Sequence, residues 1–228
     1  MDNTLSLLDV TKDFGGGPVL SGISMTIEPG ETVAIMGPSG SGKSTLLHCM
    51  SGVLKPTNGE VRFGSQVIST LSDADRSHLR LSSFGFVFQD GQLLPELTAL
   101  ENVALPAMLN GVSRSKAKRT AQELLDQIGL GDLADRRPGQ VSVGQAQRIA
   151  IARALVTEPA IIFADEPTGA LDQATGHEVM QMLSAMVKRT CAALVMVTHD
   201  AKVADWMERR VEIRDGIIHD DRVVGGIR

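Results

Sequence analysis

A glycine-rich segment, Gly37–Thr45, has the spacing of a loop that binds phosphate groups. Its sequence, GPSGSGKST, fits the pattern G-x-x-x-x-G-K-[ST] and follows an apolar run, Thr32–Met36. In such a loop the glycines let backbone N–H groups surround the phosphates, the lysine reaches the β- and γ-phosphates, and a hydroxyl ligates Mg²⁺. We therefore predict a site for a nucleoside triphosphate that is formed by Gly37, Pro38, Ser39, Gly40, Ser41, Gly42, Lys43, Ser44 and Thr45.

Two adjacent carboxylates, Asp165 and Glu166, end a second apolar run, Ile161–Ala164. In open α/β sheets, ligands bind at the carboxyl ends of the strands. We expect Asp165 to hold Mg²⁺ through water and Glu166 to polarise the water that attacks the terminal phosphate. The presence of Glu166 favours a hydrolase over a nucleotide-gated clamp that cannot turn over.

The segment Val141–Leu155, VSVGQAQRIAIARAL, is typical of an amphipathic helix with an unusual first turn. Ser142 and Gln145 are spaced as a capping box, which satisfies two backbone donors. Gly144 in the same turn costs about 1 kcal/mol relative to alanine. A residue without a side chain also lets a large anion approach the N–H groups at the start of a helix. The segment alone is compatible with a simple cap and with an anion site.

Composition limits the class of protein. The chain has 228 residues, 43% of them hydrophobic, and a formal charge of −5, which argues against a nucleic-acid partner. Cys49 and Cys191 lie far apart, match no metal-binding spacing and suit a reducing compartment, and Cys49 is expected to pack in a core. We find no signal peptide and no apolar run long enough to span a membrane. We therefore expect a cytosolic chain whose membrane role, if any, requires a separate partner.

A basic cluster is formed by Arg114, Lys116, Lys118 and Arg119. It is typical of the solvated face of a helix. Contact with an anionic membrane surface is the alternative.

The order of the predicted elements indicates an α/β fold. Strands are predicted at Leu5–Val10, Gly22–Ile27, Thr32–Met36, Val61–Phe63, Ala160–Ala164 and Ala193–Val197. Helices are predicted at Thr45–Met50, Leu100–Leu109, Ser115–Ile128, Ser142–Val156 and Thr175–Lys188. The pattern predicts one domain over residues 1–228. Its core, with a β-subdomain, is expected at 1–90 and 158–228, interrupted by a helical subdomain at 91–157.

These segments together resemble the ATP-binding subunit of ABC transporters, in the family's order and over nearly the whole chain. The resemblance implies a P-loop (RecA-like) core with an N-terminal antiparallel β-subdomain and an inserted helical subdomain. It also implies ATP and Mg²⁺ as ligands, and it implies that the metal is bound by Ser44, Gln89 and Asp165. Glu166, Lys43, Gln89 and His199 are implied as catalytic, with His199 contacting the γ-phosphate. Phe14 matches the aromatic residue that stacks on adenine.

The segment Val141–Leu155 matches the family's signature helix. In this family the N-terminus of the signature helix points at the γ-phosphate of ATP held by a second subunit. The resemblance therefore implies that Ser142, Gly144 and Gln145 contact the ATP of a partner copy, aided by the helix dipole. Ala170, Leu171 and Asp172 match the loop that links the two sites of the dimer. Val143 departs from the family's usual glycine. Because a β-branched residue disfavours positive φ, we expect an ordinary conformation at Val143 and preserved activity.

The stretches VFQDGQLLPELTALENVALPAML and ADEPTGALD are most similar to the macrolide-exporter, lipoprotein-release and haem-exporter branch. That branch implies integral-membrane permease partners of four-helix type in two copies, a second copy of this chain, and a place at the cytoplasmic face of the membrane. Leu93, Leu94, Pro95 and Leu97 are interpreted as a groove for a coupling helix of the permease, with an ordinary packing turn as the alternative. A regulatory ATPase that transmits force without transport, as in cell division, remains open beside export.

Overall fold

The computed structural model describes residues 2–225. They form two compact units, residues 2–80 with 191–225 and residues 81–190. The observed architecture confirms the predicted α/β fold. This division differs from the predicted subdomains, whose boundaries at 91 and 157 stay a prediction.

The first unit contains an antiparallel sheet at its N-terminal end. Its strands are β1 (Leu5–Asp13), β2 (Pro18–Ile27), β4 (Asn58–Phe63) and β5 (Gln66–Val67), in the order β2-β1-β4-β5. Leu5 and Leu7 alternate into the core, and the register shifts between Leu7 and Val10, where Asp9 has a φ of 49°. This bulge returns Val10 to the core, since one extra residue resets the two-residue period. The predicted strands at Leu5 and Gly22 are confirmed and are longer than expected.

The same unit carries the strands that position the glycine-rich loop. They are β3 (Thr32–Met36), β8 (Ala193–Val197), β9 (Arg209–Arg214) and β10 (Ile217–Val223). Strand β3 runs parallel to β8 and to β9, and β10 pairs antiparallel with β9. Val33, Ala34 and Ile35 are fully buried, as is typical of strands covered on both faces.

Three α-helices of the described residues begin outside residues 84–190. They are α1 (Lys43–Met50), α2 (Asp73–Ser83), which crosses the boundary between the units, and α7 (Ala201–Ala204). Helix α1 begins two residues before the predicted start at Thr45, because the loop enters the helix directly from Gly42. Cys49 on α1 is buried, and burial raises the pKa of its thiol to about 11. The prediction that Cys49 packs in a core is confirmed.

The second unit pairs two parallel strands with four helices. The elements are β6 (Phe84–Phe88), β7 (Ile161–Asp165), α3 (Ala99–Leu109), α4 (Arg114–Gln127), α5 (Val143–Leu155) and α6 (Gln173–Thr190). Helix α3 packs against both α4 and α5. The predicted helices of this region are confirmed, with ends that differ by one or two residues.

The basic cluster lies on α4. Lys118 and Arg114 face Glu101 of α3, with N···O distances of 3.2 and 3.9 Å, and Arg114, Lys116 and Arg119 are exposed. This arrangement fits the predicted solvated helix face. Within residues 2–225, no helix is both long and apolar enough to cross a membrane.

Candidate functional site

The loop between β3 and α1 is built around glycines that no other residue can replace without distortion. A Cβ at Gly37, whose φ is 148°, would overlap the carbonyl oxygen of Ile213. A Cβ at Gly42, whose φ is 99°, would lie 2.7 Å from the carbonyl oxygen of Val19. Since Gly42 is the N-cap of α1 and has no side chain, the first amides of that helix receive no side-chain cap.

The polar side chains of this loop suit an anion. The Lys43 ammonium donates to the carbonyl oxygens of Gly37 at 3.0 Å and Pro38 at 2.9 Å, which folds the lysine back over the loop. The buried Ser41 Oγ has no hydrogen-bond partner among the described residues. Such an orphaned donor beside uncapped amides matches the chemistry of phosphate oxygens. Pro38, Ser39, Gly40 and Ser44 are exposed, and Thr45 is half-buried.

Phe14 lies in the turn between β1 and β2. Its side chain is 61% exposed, and Lys12 Nζ lies 4.9 Å from the centre of its ring. A phenylalanine this exposed contributes little to a core, so its ring is available for stacking.

His199 follows β8 in the first unit. It lines a cavity of about 660 Å³ together with Met36, Gly37 and Pro38. The other walls are charged residues of β9 and β10: Arg210, Glu212, Arg214, Asp220 and Arg222. His199, predicted to contact the γ-phosphate, thus shares a cavity with the start of the phosphate loop.

In the second unit, β6 and β7 bring two predicted site segments together. Phe88 and Asp165 are partners in the parallel register, so Gln89 and Glu166 are the next residues on adjacent strands. Asp165 and Glu166 are half-buried, and Glu166 adopts a positive φ of 48°. Residues other than glycine rarely take this conformation, which costs of order 1 kcal/mol and concentrates at functional sites.

The side chain of Gln89 lies over Gly169. A Cβ at Gly169 would approach Gln89 Nε2 to 2.8 Å, so glycine leaves room for the glutamine. Gly169 N donates to the carbonyl oxygen of Glu166 at 2.9 Å, which closes the turn after β7.

The first turn of α5 has the predicted cap. Ser142 Oγ accepts from Gln145 N at 3.2 Å, and Gln145 Oε1 accepts from Ser142 N at 2.8 Å. Val143 is the first helical residue, has no positive φ and is 59% exposed, which confirms the expected conformation. Gly144 is buried, and a Cβ there would overlap Thr175 Cγ2 of α6.

Asp172 caps the start of α6. Its carboxylate accepts from Ala174 N, Thr175 N and Thr175 Oγ1, the last at 2.6 Å. The hydrogen bond from the Thr175 side chain, followed by backbone donors, holds the pKa of Asp172 below its usual value. The same threonine therefore contacts both Gly144 and Asp172.

Three residues of the second unit escaped the sequence reasoning. Gln147 and Arg153 of α5 donate to backbone carbonyl groups near the end of β6, and Thr175 of α6 packs against Gly144 of α5. Of the three, only Gln147 could have been found from the sequence. It is a polar residue on the apolar face of the predicted helix, three positions before Ala150 and seven before Ala154.

The predicted site residues are divided between the two units. The first unit carries Phe14, the phosphate loop and His199, whereas the second carries Gln89, Asp165, Glu166, the first turn of α5 and Asp172. Within residues 2–225, no three His, Cys, Asp or Glu side chains form a group that could hold a metal ion. The predicted Mg²⁺ donors are of mixed type: the hydroxyl of Ser44, the amide of Gln89 and the carboxylate of Asp165. A sparse set of this kind suits Mg²⁺, which keeps waters and binds substrate phosphates.

A protein-family model described as "ABC transporter" matches residues 20–169. The chain is 47% identical over 225 residues to the lipoprotein-releasing system ATP-binding protein LolD of Geobacter metallireducens, covering 97% of this chain and 100% of LolD. The chain belongs to the ABC transporter family. It is an ATP-binding ATPase subunit of a transporter complex, of the LolD and MacB type.

Other members of the ABC transporter family extend this comparison. The chain is 44% identical to the macrolide export ATP-binding/permease protein MacB of Marinobacter nauticus, over 95% of this chain and 34% of MacB, so it spans about a third of that relative's length. A dimeric post-hydrolysis structure of the ATP-binding cassette MJ0796, bound to ADP and Pi, superimposes with a TM-score of 0.88 at 40% identity, covering 98% of this chain and 100% of that one. The match to the ABC transporter model includes the phosphate loop, Gln89 and Glu166, and ends before Asp172 and His199.

Proposed function

We propose that this chain is the ATP-hydrolysing subunit of a bacterial ABC export complex. Two copies close on ATP and drive a separate membrane permease. The observation that carries hydrolysis is the position of Glu166, which directly follows β7 in a positive-φ conformation, with Gln89 next to it at the end of the paired strand β6. A carboxylate held at a strand end by backbone geometry is suited to act as a general base.

The phosphate loop binds the nucleotide. The uncapped amides at the start of α1 and the Ser41 hydroxyl donate to the phosphates, and Lys43 neutralises the β- and γ-phosphate charge. Phe14 stacks on the adenine ring with its exposed face.

Mg²⁺ would be held by Ser44, Gln89 and Asp165, and it would supply positive charge that stabilises the phosphates. Its donor set agrees with magnesium chemistry because a hydroxyl, an amide and a carboxylate are all oxygen ligands.

Glu166 orients a water molecule and accepts its proton as the water oxygen bonds to the γ-phosphorus and the bond to the β-phosphate oxygen breaks. His199 donates to the γ-phosphate and lies in the same unit as the start of the phosphate loop. The products are ADP and phosphate.

A second copy of the chain completes each site. The N-terminus of α5, with Ser142, Gly144 and Gln145, faces the γ-phosphate held by the partner, where the helix dipole favours negative charge. The loop with Ala170, Leu171 and Asp172 connects the two sites. ATP therefore joins two copies, and hydrolysis separates them.

The names of the relatives support export. LolD is named for lipoprotein release and MacB for macrolide export. MacB is named as an ATP-binding and permease protein in one chain, and this chain covers 34% of its length. The partner of this chain is accordingly a membrane permease, present as two copies of four-helix type. The segment with Leu93, Leu94, Pro95 and Leu97 contacts it, and the ATPase sits at the cytoplasmic face of the membrane.

The first experiment measures ATP turnover of the chain co-purified with its membrane partner in lipid, with and without haem, macrolides and lipopeptides. Glu166→Gln defines the background and is expected to lower turnover by about 10²–10⁴-fold, the usual contribution of a general base. Stimulation by one compound supports export and identifies the substrate class.

Two results would contradict this proposal. If Glu166→Gln turned over ATP as fast as the unmodified protein, Glu166 would not be the general base. Turnover that needs the membrane partner and responds to no compound would replace export by a force-transmitting regulator.

A further inference from the structure

Gln147 is a buried glutamine in the middle of α5. Only 2% of its surface is exposed, and its amide nitrogen donates twice, to the carbonyl oxygens of Phe88 at 2.9 Å and Pro167 at 2.7 Å. The side-chain amide has two N–H donors in all, so both are used.

The two acceptors flank the proposed catalytic residues. Phe88 immediately precedes Gln89, and Pro167 immediately follows Glu166. The amide oxygen of Gln147 lies over Gly91, where an added Cβ would be 3.3 Å away. One side chain of the signature helix thus holds the turns that follow β6 and β7.

Arg153 supplies a second tie from the same helix. Its guanidinium donates to the carbonyl oxygens of Gly91 and Gln92, both at 2.7 Å. Burial lowers the pKa of Arg153 from its ordinary value, although the group stays charged at neutral pH. Among residues 2–225, the hydrogen bonds of Arg153 reach the segment after β6, whereas those of Gln147 reach the end of β6 and the segment after β7.

We infer that Gln147 is a positioning residue that ties the signature helix to both Gln89 and Glu166. Because its two hydrogen bonds share one rigid amide, a displacement of segment 88–92 moves α5 and the turn after Glu166 together. A permease acting on segment 88–92 thereby changes the position of the general base and of the signature turn in one motion. This inference rests on the proposed roles of Gln89, Glu166 and α5. Gln147 itself touches no substrate.

The same contacts are compatible with a merely structural role, in which Gln147 only satisfies two carbonyl groups in the core. The two roles differ in their consequences for local opening. A positioning role requires both turns to loosen together and the chemical step to slow, whereas a structural role affects only the free energy of unfolding.

Hydrogen exchange of two backbone amides measures whether the turns after β6 and β7 open together. Gly91 N donates to the carbonyl oxygen of Phe88 at 3.1 Å, and Gly169 N donates to that of Glu166 at 2.9 Å. In Gln147→Met, which keeps the length and loses the donors, we expect exchange at both amides to rise about tenfold, as loss of buried hydrogen bonds implies.

Kinetics of the same variant, in the complex with the membrane partner, provide the second measurement. We expect kcat for ATP to fall at least tenfold, with KM within twofold of the unmodified protein. Gln122→Met of α4, a glutamine that donates to Asp126 and to the carbonyl oxygen of Gly131, is the matched control and is expected to change neither measurement.

Two further variants keep the test independent of any one substitution. Gln147→Glu retains size and polarity, but its carboxylate cannot donate, so it is expected to behave as Gln147→Met does. Arg153→Met is expected to raise exchange at Gly91 and to leave Gly169 unchanged.

Exchange that rises at only one of the two amides in Gln147→Met, or a kcat equal to that of the unmodified protein, overturns the inference. Absence of ATP hydrolysis by the unmodified protein would instead overturn the proposed function, and the exchange result would stand separately from it.

Discussion

Gly144 touches a neighbour within its own chain. A methyl group there would overlap Thr175 Cγ2, while Thr175 Oγ1 is held by Asp172. The glycine that the sequence assigned to the approach of an anion therefore has a second reason to lack a side chain. The contact also connects the signature turn with the loop that carries Asp172.

A pair of substitutions separates the two reasons. Gly144→Ala gains about 1 kcal/mol of helix propensity but pays about 1–3 kcal/mol for overpacking, so we expect a lower melting temperature. Thr175→Ser removes Cγ2 and keeps the hydroxyl that bonds Asp172. The double variant Gly144→Ala with Thr175→Ser is therefore expected to regain the lost stability, as measured by thermal unfolding.

ATP turnover of the same variants shows what the glycine does for catalysis. If turnover returns with stability in the double variant, packing against Thr175 explains Gly144. If stability returns alone, the nucleotide itself requires the glycine. A double variant no more stable than Gly144→Ala would contradict the packing account. Thr175→Ser alone serves as the control and is expected to match the unmodified protein.

Helix α3 holds the segment that precedes it through one buried side chain. Asn102 is fully buried, and its amide oxygen accepts from Leu94 N at 2.8 Å. Its amide nitrogen donates to the carbonyl oxygens of Leu94 and Leu97 at 3.0 and 3.2 Å. These bonds fix the backbone of a segment whose Leu94 side chain is 43% exposed. An apolar side chain on such a fixed turn is suited to contact a partner helix.

We expect Leu94→Glu to abolish both the stimulation of ATP turnover by the permease and co-purification with the permease. The affinity for ATP should stay within twofold of that of the unmodified protein. A charge at the contact must be desolvated, which disfavours docking. Leu109→Glu, at the exposed end of α3, is the matched control because Leu109 is 65% exposed. Unchanged co-purification of Leu94→Glu would assign Leu93, Leu94, Pro95 and Leu97 to an ordinary packing turn.

For the whole molecule, the proposed function requires two copies. Because each site needs the α5 N-terminus of the partner copy, we expect the dimer to form only when ATP is bound. The dimer should persist when ATP hydrolysis is blocked. Glu166→Gln with ATP is therefore expected to elute at twice the monomer mass in size-exclusion chromatography, and with ADP at the monomer mass.

The control for dimerisation uses two serines at the starts of helices. Adding Ser142→Glu to Glu166→Gln places a negative charge against the partner's γ-phosphate, so the dimer should be lost. Ser115→Glu, in the first turn of α4, should keep it. A dimer that survives Ser142→Glu would contradict the proposed contact between α5 and ATP.

The sequence alone predicted the elements whose signals are local. Strands β3 and β8 are apolar runs, α5 begins with its own capping box, and the phosphate loop lies within nine consecutive residues. Helix α2 gave no such signal because only Arg76 and Leu79 of its eleven residues are buried. Strands β9 and β10 carry many charges, and pairing with β3 and with each other, rather than side-chain pattern, makes them strands.

The sequence by itself thus determined the family, the fold class and the local groups proposed to bind and hydrolyse a nucleotide, since each depends on residues that are close along the chain. Only the tertiary structure decided which distant groups meet. Examples are Gln147 with the turns after β6 and β7, Gly144 with Thr175, and Asn102 with the segment at Leu94. The physical reason is that a buried hydrogen bond or a close packing contact depends on how two segments lie in space, and residue type and spacing do not encode that arrangement.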